Sequence, residues 1–251
     1  MAIFIFILGT IFGSFFLVLG TRLPLKENIW TTRSRCDHCH KTLKWYNLVP
    51  LLSFIVQRGR CQNCHQKISK EHFFVELLSG GLFLFTYLYF PLGYNFYAGL
   101  IIVSLMIIIF ISDLKYMIIL DSPLVFSIIA ICILKYIYFG ASNCLISLLS
   151  GLCMFLTMYF ISKLGHFLLK KESLGGGDIK LSFVIGLILG YKMAMVSLVL
   201  STFIALPYAV GSLYLKESHE FAYGPFLVGA LFIVFYNLEK FNNLFFFLFH
   251  F

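Results

Sequence analysis

The sequence predicts an all-α polytopic membrane protein of about eight transmembrane helices, with a small cysteine-bearing insert between the first two. Three observations carry this prediction. Hydrophobic residues make up 60% of the 251 and charged residues only 12%, with a mean hydropathy of +0.92; a soluble domain sits near half apolar and about a quarter charged. The apolar residues fall in long blocks, on the scale of the roughly 20 residues that a helix needs to cross a hydrocarbon core. Basic residues cluster: none precedes Arg22, and ten of the nineteen lie between Arg22 and Lys70.

The first block, 2–21, lacks the basic start and small-residue cleavage site of a removable signal, so it is expected to stay as a span. A polar excursion, 22–72, follows. The second span is predicted at 73–90, closed by Pro91-Leu92-Gly93, and the third at 96–112, ending at Asp113. The fourth begins after Asp121 and runs to Phe139, with Lys135 expected to snorkel toward an interface. The fifth covers 143–169 and ends in Lys170-Lys171. The glycine turn Gly175-Gly176-Gly177-Asp178 leads into 181–190, which is short for a span and must borrow residues from 174–180 or be a broken helix buried in protein. Blocks 193–215 and 225–248 complete the set, separated from each other by Lys216-Glu217-Ser218-His219-Glu220. We find no internal repeat and no low-complexity linker. The Phe245-Phe246-Phe247 tail reads as lipid-facing. The expected domains are therefore 1–21, a first helix; 22–72, a cysteine domain; and 73–251, a membrane domain.

A basic loop invites a nucleic-acid reading, but between two spans it fits cytoplasmic retention of positive loops better, and no nucleic-acid partner is expected. With the N-terminus outside and eight crossings, all basic residues except Lys135, Lys192 and Lys240 fall on the inner side. The expected place is a bacterial cytoplasmic (inner) membrane, with the lipid bilayer as partner and 22–72 in the cytoplasm.

Within that insert stand Cys36-x-x-Cys39 and Cys61-x-x-Cys64. Each two-residue spacer lets both sulfurs of a pair face one point, and two pairs complete a tetrahedron of thiolates. Arg35, Lys41 and Arg60 are expected to favour the thiolates. Structural disulfides do not suit a reducing compartment, and redox CxxC pairs come singly in a βαβ context. A structural metal, zinc ahead of iron, is therefore predicted at Cys36, Cys39, Cys61 and Cys64. A full set of four thiolates leaves no open coordination position for catalysis. Cys132, Cys144 and Cys153 are expected to be ordinary buried residues.

Carboxylates bordering spans are costly and tend to be functional. Asp113 ends the third span and Asp178 opens the sixth, so both are expected at one membrane edge, where they can meet. Two adjacent carboxylates cannot both ionise, so one keeps a proton. Such a pair can hold a water, one member taking its proton while the other donates to a scissile carbonyl. Gly175, Gly176 and Gly177 would let backbone pass close to a bound peptide. Taken singly, each aspartate could instead be a helix cap, Asp178 most plainly. Asp121 could cap the fourth span or bind basic residues. Phosphate binding at the glycine run is disfavoured, since no strand precedes it and no Lys-Ser/Thr follows. An intramembrane carboxylate also fits a proton-coupled carrier.

Taken in order, several segments resemble the type IV prepilin peptidase family over nearly the whole chain. They are Gly13-Ser14-Phe15, Arg22-Leu23-Pro24, the stretch 35–80 with its four cysteines, Asp113 with Asp121, Gly175-Gly176-Gly177-Asp178-Ile179-Lys180-Leu181 as a GxGD motif, and Tyr223-Gly224-Pro225-Phe226-Leu227. The resemblance implies a membrane aspartyl endopeptidase, with Asp113 and Asp178 catalytic, that removes a short basic leader from prepilins or pseudopilins after a glycine. It also implies N-methylation of the new N-terminus with S-adenosylmethionine in many members, and zinc on the four cysteines. Asp121, Gly175, Gly176, Gly177 and Lys180 would support the site, and Glu76 would serve the second activity or pack against a partner such as Lys70. The chain departs from the family pattern at Leu17, Phe74 and Leu120, none of them a catalytic or metal position.

Overall fold

The computed structural model describes residues 1–29, 33–36, 38–169, 175–215 and 222–249. Among them, regular structure is helical, and extended pairing is confined to two isolated bridges, Arg35 with Thr42 and Arg60 with Lys67. The chain divides into two compact units, Met1–Phe96 and Tyr97–Phe251. By length and composition, five helices among the described residues can cross a membrane, or six if one sharply bent pair counts as a span. The protein is thus an all-α, multi-pass membrane protein, and the expected count of eight is not reached by this measure.

In the first unit, helix α1 (Ala2–Arg22) packs on α3 (Lys70–Tyr89), with the short α2 (Leu52–Val56) between them in sequence. The α1–α3 seam is built from small residues. A Cβ on Gly9 would sit 2.8 Å from Gly80 Cα, and one on Gly13 would sit 2.6 Å from Ser79 Cβ. The Gly9-x-x-x-Gly13 spacing puts both glycines on one face and lets the backbones close up, the usual solution where lipid offers no hydrophobic drive between helices. Ser79 Oγ then donates to Gly9 O at 2.7 Å across the seam. Helix α3 starts at Lys70, three residues before the predicted span, because Ser69 caps it: its Oγ accepts from Glu71 N–H at 3.3 Å.

In the second unit, α4 (Tyr94–Tyr116) continues past Asp113 instead of ending there. Predicted spans four and five form one element, α5 (Asp121–Leu169), broken at Gly140, whose φ of 82° and ψ of 176° no helix tolerates. Residues on either side of that break meet: Lys135 Nζ donates to Ser147 Oγ at 2.7 Å, and the Cys144 thiol points to Cys132 O at 3.7 Å. The element therefore folds back on itself as an αα-hairpin, 121–139 against 141–169. Cys132 and Cys144 are half-buried and Cys153 is exposed, so the expectation of three buried cysteines does not hold.

Helix α6 (Gly176–Leu189) takes up the borrowed glycines, yet reaches only 14 residues, or about 21 Å. It is shielded by protein: Leu181, Ser182 and 184–188 are all buried. Its fit against the hairpin is close, since a Cβ on Gly186 would lie 2.7 Å from Met154 Cβ and from Ser150 O. Lys135 does not snorkel. It is buried and donates to Leu187 O at 2.7 Å, as well as to Ser147, and so caps the C-terminal carbonyls of α6. Next comes α7 (Tyr191–Leu215). The predicted last span, 225–248, is not one helix but two, α8 (Gly224–Tyr236) and α9 (Leu238–Phe249), bent by 87°. Helix α8 is buried nearly throughout, whereas α9 carries the phenylalanine tail, where Lys192 Nζ lies 3.9 Å over the Phe245 ring. Lys170-Lys171 and the separator 216–220 lie outside the described residues.

Candidate functional site

The four cysteine sulfurs come together. All lie within 4.8 Å of one another, and Cys36 Sγ and Cys64 Sγ are 3.8 Å apart. A tetrahedral zinc with Zn–S near 2.3 Å requires sulfur–sulfur edges of about 3.8 Å, so this donor set fits a four-thiolate metal site. The two knuckles are copies of one design. Cys36 N–H donates to Lys41 O and His40 N–H to Cys36 O; Cys61 N–H donates to Gln66 O and His65 N–H to Cys61 O. His40 and His65 both take a positive φ, 54° and 55°. Contrary to the expectation of no internal repeat, the sequence therefore holds a short one, Arg35-Cys36-x-x-Cys39-His40 and Arg60-Cys61-x-x-Cys64-His65. Its signal lies in the matching Arg and His on either side of each pair.

Backbone N–H groups, not the neighbouring cations, set the Cys61 thiol. The Cys61 thiol is drawn down to about 6, first by the Cys64 N–H and then by that of Asn63. Cys64 accepts from the Gln66 N–H, yet desolvation and the three other sulfurs push it up to about 11. Four thiols crowded together resist shedding all their protons, and a dication is what allows them to. Lys41, expected to favour the thiolates, turns to Asn63 Oδ1 at 3.1 Å.

Glu76 is buried on α3, and its Oε2 accepts the Leu51 N–H at 2.8 Å. That partner replaces the expected Lys70. The bond ties the insert to a membrane helix at a residue whose φ is +60°.

In the second unit, Asp113 and Asp178 are both buried, 5% and 8% exposed, and lie within electrostatic reach of one another. Asp113 comes from the last turns of α4 and Asp178 from the first turn of α6. Asp178 is not the N-cap of its helix: Gly175 holds that position and its N–H donates to the Asp178 carboxylate, while Asp178 Oδ1 is buried with no hydrogen-bond partner among the described residues. Asp113 Oδ2 accepts the Gly224 N–H at 2.9 Å. The glycine turn serves packing here. A Cβ on Gly177 would stand 2.7 Å from Ile119 Cβ, one on Gly175 would stand 3.1 Å from Asp178 Oδ2, and one on Gly176 would meet nothing within 4 Å. Ile119 also abuts Gly224, where a Cβ would lie 2.9 Å from its Cδ1, so one loop side chain packs against both the turn that bears Asp178 and the turn whose N–H holds Asp113.

Asp121 opens α5 and pairs with Lys180, whose Nζ lies 2.7 and 2.9 Å from its two carboxylate oxygens. The pair is exposed at both ends. Sequence alone attaches no chemical role to Tyr223 or Ser201. Ser201 Oγ gives its proton to Leu198 O at 2.7 Å, so in the 2.7 Å contact with the Tyr223 hydroxyl the tyrosine is the donor. Tyr223 also lies within electrostatic reach of Asp178. The late Tyr223-Gly224 turn was legible as a motif, but its placement against both aspartates was not.

Two family models match the chain: "Bacterial Peptidase A24 N-terminal domain" over residues 7–90, and "Type IV leader peptidase family" over 100–210. Curated relatives include proteins named "Prepilin leader peptidase/N-methyltransferase". The one from Bacillus subtilis (strain 168) is 33% identical over 216 residues, covering 83% of this chain and 82% of its own. That of Klebsiella pneumoniae is 32% identical, covering 79% and 90%. That of Vibrio cholerae is 28% identical, covering 93% and 95%. No solved structure matches.

Proposed function

The chain belongs to the type IV leader peptidase family, and from that premise we propose that it is an aspartyl endopeptidase that removes the basic leader from type IV prepilins or pseudopilins after a glycine. One observation carries the assignment of the chemistry: two buried carboxyls, Asp113 and Asp178, in electrostatic contact, the first oriented by a backbone N–H and the second with a buried oxygen unengaged by the described residues. The pair shares one proton. The ionised carboxyl takes a proton from water as the water's oxygen attacks the scissile carbonyl, and the protonated carboxyl donates to that carbonyl's oxygen. The tetrahedral intermediate then collapses as the leaving nitrogen is protonated, returning the shared proton.

The remaining residues act in support. Gly175, Gly176 and Gly177 keep the turn free of side chains, with Gly176 facing open space. Asp121 is neutralised by Lys180, which favours positioning of the turn over capture of the leader's basic residues. The enzyme sits in the bacterial inner membrane with its N-terminus outside and 22–72 in the cytoplasm, the orientation favoured by the basic residues of that segment. We read 1–21 as a membrane anchor, 22–72 as a zinc-ordered domain on Cys36, Cys39, Cys61 and Cys64, and 73–251 as the peptidase domain. Zinc there is structural: it organises the insert and takes no part in cleavage. The relatives' names add N-methyl transfer, which extends to this chain with S-adenosylmethionine as donor and Glu76 as a candidate contributor.

Purified protein in detergent or nanodiscs, given a prepilin-like substrate, tests the reading. Cleavage is expected, and is expected to fall by at least about 10²-fold in Asp113→Asn and Asp178→Asn. Unchanged cleavage by those variants would remove the site assignment, and no cleavage by the parent chain would remove the function.

A further inference from the structure

We propose that the middle of the cysteine insert, residues 45–56, is a membrane-dipping element whose apolar side chains lie in the interfacial layer of the bilayer that α1 and α3 cross. The argument begins with depth. Helix α3 has 20 residues and a length of about 30 Å, which matches the hydrocarbon thickness. Glu76 lies six residues into it, about 9 Å along the axis from Lys70. Leu51 is bonded there by its N–H, at 2.8 Å. The insert is therefore drawn down beside the first two turns of a spanning helix. The ring of Phe54 fixes the level independently, with its centroid 5.2 Å from that of Phe73 on the first turn of α3.

Leu51 joins two short helical pieces, the 3-10 turn Trp45–Leu48 and α2. Gln57 Nε2 donates to Asn47 Oδ1 at 3.2 Å and ties the two pieces together. What they show outward is apolar: Trp45 is 79% exposed, Leu52 61%, Ile55 60% and Val56 77%. A face of this kind in water would be an association site or a liability. At this depth its occupant is lipid, because amphipathic elements bury their apolar face some 5–10 Å into the boundary between headgroups and acyl chains. The flanks suit that boundary. Lys44 Nζ sits 5.8 Å over the Tyr46 ring, and Arg58 follows α2, so basic groups lie where anionic headgroups would meet them. Trp and Tyr favour this same layer. The positive φ of Leu51 is a local strain held by the Glu76 bond. The proposal concerns the insert's relation to the bilayer and does not rest on the peptidase reading.

Trp45 reports its own environment, since Trp30 is the chain's only other tryptophan. The Trp30→Phe protein would be reconstituted in phosphatidylethanolamine–phosphatidylglycerol vesicles containing lipids spin-labelled at a shallow or a deep acyl position, and titrated separately with aqueous acrylamide. We expect the shallow label to quench Trp45 at least twofold more than the deep one, with weak acrylamide quenching. Adding Glu76→Leu should release the element, so that quenching by both lipid labels falls and acrylamide becomes the stronger quencher. Strong acrylamide quenching without lipid quenching in the parent would overturn the proposal by placing the face in water. Quenching by neither would overturn it by placing the face under protein. Should Trp30→Phe fail to assemble, p-benzoylphenylalanine at position 56 of the otherwise unchanged chain reads the same contact: photocrosslinks to acyl chains support it, and crosslinks to protein alone overturn it.

Discussion

Asp113 and Asp178 are both buried and within electrostatic reach of one another, and the proposed sharing of one proton between them would have a definite signature. Cleavage should fall on the acid side, where both carboxyls hold protons and no base remains, and again on the alkaline side, where both are ionised and no acid remains. The resulting bell belongs to the pair and not to either residue. Replacing either with Asn is expected to cost on the order of 10²- to 10⁴-fold in kcat, measured at the optimum with the variant's melting temperature checked. Tyr223 donates to Ser201 within reach of Asp178. Tyr223→Phe, which removes one hydrogen bond worth about 1 kcal/mol, should lower kcat by about fivefold and leave KM near its original value; a change confined to KM would place the hydroxyl on the substrate instead. The aspartates were legible in the sequence because charge is rare and costly in this chain. Tyr223 was legible only as part of the late turn motif, and its chemical role was not, because nothing in the sequence brings it within reach of Asp178.

Elements fit here through close approach and through a few polar ties at helix ends. Gly177→Ala would drive a Cβ to 2.7 Å from Ile119 Cβ, and overpacking of this kind costs about 1–3 kcal/mol. Because Ile119 also leans on Gly224, which holds Asp113, activity should drop further than stability in a combined melt and cleavage assay. Gly176→Ala, facing open space, should leave stability nearly unchanged, so that any loss of cleavage there reports a clash with substrate. Lys135→Met keeps the apolar stem but leaves the Leu187 carbonyl without its donor, a loss of about 1–3 kcal/mol in the melt; Lys135→Arg should recover part of it. Most helix positions could be read from hydropathy alone. What escaped was depth: hydropathy cannot distinguish a helix apolar because lipid surrounds it from one apolar because protein does. Helices α6 and α8 are of the second kind, whereas the break at Asn237 does carry a sequence signal, the polar residues Asn237, Glu239, Lys240, Asn242 and Asn243, which the expectation of one span over 225–248 passed over.

At the scale of the molecule, a cysteine-clipped unit and a peptidase unit are carried on one chain. Exchanging Cys36 and Cys61 for serine should remove one equivalent of zinc by elemental analysis and open the segment around the knuckles to limited proteolysis, since structural zinc contributes directly to folding. The four-cysteine site was readable at once because ligand spacing is a local property. The pairing of Glu76 with Leu51 was not, since it joins residues 25 apart through a backbone donor that has no sequence identity. Lys135 has a consequence in time as well as space. During synthesis it enters the membrane before its acceptor at position 187, which is 52 residues behind it. At about 5–20 residues per second, that interval is roughly 3–10 s. For those seconds the nascent hairpin carries a lysine that has not yet met the α6 carbonyl, a burden of at most about 3 kcal/mol, the cost of a lysine at the centre of a spanning helix. The arrival of α6 relieves it, so the lysine acts as a latch on assembly order, closing only after the segment bearing the second aspartate has been made.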